Sequence, residues 1–160
     1  MYTNVIDCFR NVCFWSAFLA WLIAQFTKMI NGFFHTKKLD FRYLVSTGGM
    51  PSAHSAMVTG LATAVGMNCG FKSPVFAVSF AFALLTMFDA TTVRRAAGEQ
   101  ARLLNEMVEE LFKQHRFSEV KLAELLGHTR LEIFMGAVIG ILVAMIVNGM
   151  NILFFQNHAL

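Results

Sequence analysis

Four apolar stretches punctuate this 160-residue chain, at about 12–30, 50–69, 74–93 and 131–155. Each approaches the roughly 20 residues that a helix needs to cross a bilayer. In lipid only helices or closed barrels satisfy their backbone, and no stretch alternates with the two-residue period of a strand. The pattern predicts an all-α fold, a polytopic transmembrane helix bundle of about four spans forming one integral membrane domain. Between the third and fourth stretches, over about 94–127, the pattern changes. Ala97, Ala101, Leu104, Val108 and Leu111 keep a three-to-four-residue rhythm, with Glu99, Arg102, Glu106, Glu109 and Lys113 largely off the stripe. That is an amphipathic helix, either continuing span three or lying on the membrane surface. A second short helix is expected over about 119–126, ended by Gly127.

Composition agrees with the pattern. Hydrophobic residues make up 56% and charged residues 14% of the chain, where soluble domains carry about 45–50% and about 25%. Ten methionines and seventeen phenylalanines suit lipid-facing and interhelical packing. The net charge of +3 is spread among acidic residues, which argues against nucleic acid as a partner. Cys8, Cys13 and Cys69 form no C-x-x-C pair and read as apolar packing residues. The leader before span one holds Arg10 offset by Asp7, without a small-residue cleavage site after the apolar run, so that run reads as a retained span.

Basic residues divide unevenly between the two faces. Lys28, Lys37, Lys38 and Arg42 follow span one, and seven more lie between spans three and four, leaving Arg10 and Lys72 opposite. Eleven against two places the long loops in the cytoplasm and both termini outside. The expected location is a bacterial inner membrane, with the chemistry on its cytoplasmic face.

That face gathers the polar residues. Gly48-Gly49-Met50-Pro51-Ser52-Ala53-His54 opens span two, Asp89, Arg94 and Arg95 close span three, and His128, Arg130 and Glu132 open span four. Lys28 ends span one and Arg42 precedes the glycines. Ionisable residues at membrane depth are costly and mark functional sites. Paired glycines let backbone approach a ligand, and a helix start after Pro51 aims free N–H groups at an anion. Two histidines, a carboxylate and several cations suit phosphoryl transfer, one histidine attacking phosphorus and the other protonating the leaving oxygen. His128 and Glu132, four residues apart, share a helix face. The plainer readings are a helix cap for Ser52, an interfacial role for His54, a helix-start carboxylate for Glu132, and headgroup anchoring for Arg94 and Arg95. Asp89 reads either as an ion-pair partner of those arginines or, with Glu99 and a histidine, as a ligand of a divalent metal such as Mg. His35, His115 and His158 read as loop residues. Gly136 and Gly140 form a G-x-x-x-G suited to close helix packing.

Pro51-Ser52-Ala53-His54 resembles the P-S-G-H motif of the type 2 phosphatidic acid phosphatase superfamily, which includes the vanadium haloperoxidases. The segment 127–140, from Gly127-His128 through Glu132 to Gly136 and Gly140, resembles its closing H-x-x-x-D element and G-A-x-x-G helix. With Asp89 to Ala101, these segments resemble the superfamily's divergent small-membrane-protein branch over about residues 25–144. The resemblance implies a phosphatase without cofactor. His128 would be the nucleophile, oriented by Glu132, and His54 the general acid. Ser52, Gly49 and Arg94 or Arg95 would hold phosphate, with Lys28 or Arg42 replacing the first motif's basic residues. The chain departs from the pattern in lacking an intact K-x6-R-P, in Ala53 and Glu132, and in the 32 residues between Arg95 and His128.

The expected activity is hydrolysis of a lipid phosphomonoester or diphosphate through a phosphohistidine. The alternatives are a metal-dependent lipid phosphatase or phosphotransferase using Asp89 and Glu99, and a non-catalytic protein that binds lipid phosphate. A bundle this short leaves limited room for an enclosed pocket, so a homodimer is expected.

Overall fold

Small residues decide which helix lies in the middle. The segment 53–69 is built from alanine, glycine, serine and threonine with few large side chains, and such residues let neighbouring helix backbones approach closely. The computed structural model describes residues 5–37, 49–111 and 128–153. After a short 3-10 helix at Val5–Arg10, its helices are α1 (Val12–Thr36), α2 (Ala53–Cys69), α3 (Pro74–Thr91), α4 (Val93–Leu111) and α5 (Arg130–Asn151). α2 packs against α1, α3 and α5, and ten of its residues are buried. α1 also packs on α5, while α4 touches only α3 among the described elements. The helices and the absence of strands among the described residues bear out the all-α membrane bundle.

Three helical runs are long and apolar enough to cross a membrane, Val12–Phe34, Pro74–Val108 and Arg130–Asn151. The expected stretch at 50–69 narrows to α2, because Gly49, Met50 and Pro51 form a bend and Ser52 caps the helix. Its 17 residues span about 25 Å, somewhat less than a hydrocarbon core of roughly 30 Å. α1 exceeds the expected 12–30 by six residues before Lys37 closes it in the left-handed region (φ 52°). α5 ends at Asn151; the rest of the expected 131–155 runs partly outside the described residues.

α3 presents most of its surface outward, with Ala83 and Ala90 its buried residues. It breaks from α4 at Thr91–Thr92 for a local reason. Both threonine hydroxyls and the Thr92 N–H donate to the Phe88 carbonyl, and such back-bonding bends a helix. α4 covers the start of the segment 94–127 expected to be amphipathic. Its Arg95–Glu99 and Arg102–Glu106 pairs lie one turn apart on an exposed face. The second short helix expected at 119–126 lies outside the described residues, as do His115 and His158.

The G-x-x-x-G of α5 packs within the chain. A Cβ on Gly136 would overlap the Ser52 carbonyl oxygen, and one on Gly140 would overlap the Thr59 hydroxyl and Ala56 carbonyl. Thr59 Oγ1 donates across the same seam to the Ala137 carbonyl at 3.2 Å. Gly60 sits where this seam meets α1, beside Ala20 and the Ser16 carbonyl.

At the opposite end of α2, Asn68 donates to Asn148 of α5 and to the Ala64 carbonyl, with Cys13 Sγ of α1 at 3.8 Å. Amides joined in this way tie three apolar helices together where water is scarce. The cysteines are free thiols.

Candidate active site

The N-termini of α2 and α5 start side by side, and this pairing builds the site. The Ser52 N–H donates to the Glu132 carbonyl at 2.9 Å, joining the first turn of α5 to the start of α2. The His128 N–H donates to the Ala90 carbonyl at 3.1 Å, joining the segment before α5 to the end of α3. α1 contributes Asn31, whose amide donates to the Met50 carbonyl at 3.4 Å. Thus four helices converge on one level of the bundle.

Ser52 is fully buried, and its Oγ caps α2 by accepting from the Ser55 N–H at 3.4 Å. The Ser55 hydroxyl lies 3.1 Å from the same Oγ. With Ser55 as donor, Ser52 keeps its own proton for an outside acceptor. Ser55 is absent from the site deduced from sequence, although its position one turn after Ser52 carries the signal. Ser55→Ala is expected to lower stability by about 1 kcal/mol, read as a melting-temperature fall of about 2–4 °C in detergent. An unchanged melting temperature would show that the hydroxyl pair adds nothing.

His54 is half-buried on α2, whereas His128 is 4% exposed. Their rings meet edge to face with centroids 6.5 Å apart. Lys28, also 4% exposed, lies against Gly49: its Cγ and Cδ are 3.6 Å from where a Gly49 Cβ would stand. Gly49 has φ +92°, a conformation that favours glycine. Glu132 is near enough to act electrostatically on Lys28. The site therefore gathers Ser52, His54, His128, Lys28, Gly49 and Glu132 from the residues singled out in the sequence.

Other candidates stand differently. Glu132 Oε2 accepts from the Thr129 N–H at 3.0 Å while Thr129 Oγ1 accepts from the Glu132 N–H, a reciprocal capping box. Its carboxylate thus serves the helix start in addition to any orienting role. Arg95 is exposed on α4 and paired with Glu99 at 3.2 Å, on a helix that touches none of α1, α2 or α5 among the described residues. Arg94 belongs to α4 by its backbone, and Arg42 lies outside the described residues. Asp89 is half-buried one residue before Ala90. Among the described residues no group of three or more His, Cys, Asp or Glu could hold a metal, and Glu99 is directed to Arg95.

The arrangement offers phosphate a buried cation, a serine hydroxyl and two adjacent imidazoles beside two helix N-termini. No solved structure matches the chain. It is 41% identical over 152 residues to the uncharacterized membrane protein YuiD of Bacillus subtilis (strain 168), covering 88% of this chain and 96% of that protein. The sequence pattern of the divergent PAP2 family matches residues 9–143, a stretch that takes in both histidines, Lys28 and the glycine seam that aligns them. The chain belongs to the divergent PAP2 family.

Proposed function

We propose that the protein is a membrane-embedded phosphatase that hydrolyses a lipid phosphomonoester or diphosphate through a phosphohistidine. The observation carrying this reading is the placement of His128, His54, Ser52 and Lys28 at the paired starts of α2 and α5. In the proposed first step an imidazole nitrogen of His128 bonds to phosphorus as the bond to the leaving oxygen breaks. His54 gives that oxygen its proton. Water then attacks the phosphohistidine, His54 takes its proton, and phosphate leaves as His128 is freed. Lys28 and the Ser52 hydroxyl offset charge on the equatorial oxygens, where preorganised donors act most strongly.

The reading needs no metal, and family membership points to phosphatase-related chemistry. The basic-residue asymmetry supports a cytoplasmic site in a bacterial inner membrane. Phosphatidic acid, phosphatidylglycerol phosphate and a polyprenyl diphosphate represent the substrate class. Phosphate release from these lipids by the purified protein should persist in EDTA and vanish in His128→Ala and His54→Ala. Release abolished by EDTA and restored by Mg would favour a metal-dependent reaction using Asp89 and Glu99.

A second reading, a protein that binds lipid phosphate without turning it over, is favoured by the pairing of Arg95 with Glu99 away from the site. Phospholipid binding by a well-folded protein that releases no phosphate from any of the three lipids would support it. A homodimer is compatible with either reading, and the molecular mass in detergent tests it.

A further inference from the structure

Among the described residues, the first turns of α2 leave a strip only partly covered, and that strip begins at the candidate site. Toward α1 the helix presents Ala53 and Ala56, packed with Ala20 and Ala24. Toward α3 it presents Val58 and Ala62, packed with Ala83 and Met87. His54, Met57 and Leu61 are spaced three and four residues apart, so they share one helical face between those two contacts. Met57 is 39% exposed, and His54 and Leu61 are half-buried. Among the described residues α1 and α3 make no contact with each other, so nothing described there closes over this face. Beyond Leu61 the same face continues into Ala64 and Val65, which are buried, so the strip runs about 10 Å along the helix from His54.

The depth of the site gives the strip a meaning. Lys28 lies well before Phe34, where the apolar span of α1 ends, a rise of about 9 Å. A phosphate reaching Lys28 and Ser52 is thus below the end of the apolar wall. Ser52, Lys28 and His128 are almost wholly buried, and His54 is the most accessible of the four. A substrate approaching past His54 from the bilayer therefore brings its hydrocarbon alongside Met57 and Leu61.

We propose that the Met57–Leu61 strip of α2, open between α1 and α3, seats the hydrocarbon tail of the lipid phosphate whose headgroup lies at Ser52, His54 and Lys28. This rests on the phosphate-site reading given above. The tail replaces bilayer lipid on the strip, so its contribution is to orient the phosphate, and long-chain substrates gain over short-chain ones.

The test uses the full chain in bilayers with a phosphatidic acid carrying a diazirine at mid-chain. Photolabelling is expected to concentrate on the peptide containing Met57 and Leu61. Unlabelled phosphatidic acid should compete and phosphatidylcholine should not. Met57→Trp and Leu61→Trp should each cut hydrolysis of long-chain phosphatidic acid about tenfold while sparing a dihexanoyl analogue, with Phe82→Trp on exposed α3 as the control. Labels spread over the outer faces of α3 and α5, or equal competition by phosphatidylcholine, would overturn the proposal. Labelling on the strip without phosphate release from any substrate would uphold the tail seat and sink the hydrolase reading. Release with labelling elsewhere would do the reverse.

Discussion

Gly136→Ala is expected to disable the site while Gly149→Ala, in the same helix, leaves the protein intact. In an isolated helix either change should help, since alanine is favoured over glycine by roughly 0.5–1 kcal/mol. The surroundings reverse the sign at one position. A Cβ at Gly149 meets nothing within 4 Å, whereas one at Gly136 overlaps the Ser52 carbonyl and stands 3.0 Å from Ser55 Cβ. Overpacking of this kind costs about 1–3 kcal/mol. Relief requires α2 and α5 to separate where the Ser52 N–H donates to the Glu132 carbonyl. Ser52 would then move relative to His128, and misplacement by about 1 Å can cost about a hundredfold in rate. Gly140→Ala should do more to stability and less to geometry. Its methyl meets Thr59, Ala56 and the Gly60 nitrogen, nearer mid-bundle and farther from the histidines. Melting temperature and phosphate release, measured for the three variants, check the pattern. Equal behaviour of Gly136→Ala and Gly149→Ala would remove the seam from the account of the site.

The same seam marks a boundary of what the sequence discloses. Apolar runs give the helices, because the bilayer requires a minimum length and an internally satisfied backbone. Ser52 after Pro51 gives the start of α2, because a capping hydroxyl leaves a short local signature. The small residues of 53–69 hint that α2 is central. Which helix meets Gly136 is different: the spacing signals close packing without naming the partner, and the Ser52 carbonyl emerges only in three dimensions.

Competition between local and distant partners explains the other differences. The resemblance makes Arg94 or Arg95 a phosphate ligand, yet Glu99 one turn after Arg95 offers a partner without any folding of the loop. Glu132 reads as a partner for His128, four residues away, yet its distance from Thr129 also fits a capping box, and the carboxylate makes that bond. Lys28 shows the opposite case. The resemblance offers Lys28 or Arg42 for the phosphate without choosing between them, and only the approach of Gly49 reveals Lys28 as buried at the site.

Lys28→Met is expected to separate function from stability. A lysine 4% exposed keeps its charge only where its surroundings compensate it. Methionine keeps much of the length and apolar volume of the lysine stem beside Gly49, so packing should survive the change. Glu132, which acts on Lys28 electrostatically, retains its bond from the Thr129 N–H and is only half-buried, so loss of the cation leaves it solvated. The melting temperature should therefore hold. Turnover should fall about 10²–10³-fold, the effect of removing one donor aimed at developing charge. The opposite result, a fall of several degrees with phosphate release unchanged, would make Lys28 a structural partner of Glu132. Conserved stability with lost turnover identifies a charge that serves the anion rather than the fold. Phosphate or vanadate bound at that ammonium should raise the melting temperature of the wild type and leave that of Lys28→Met unmoved.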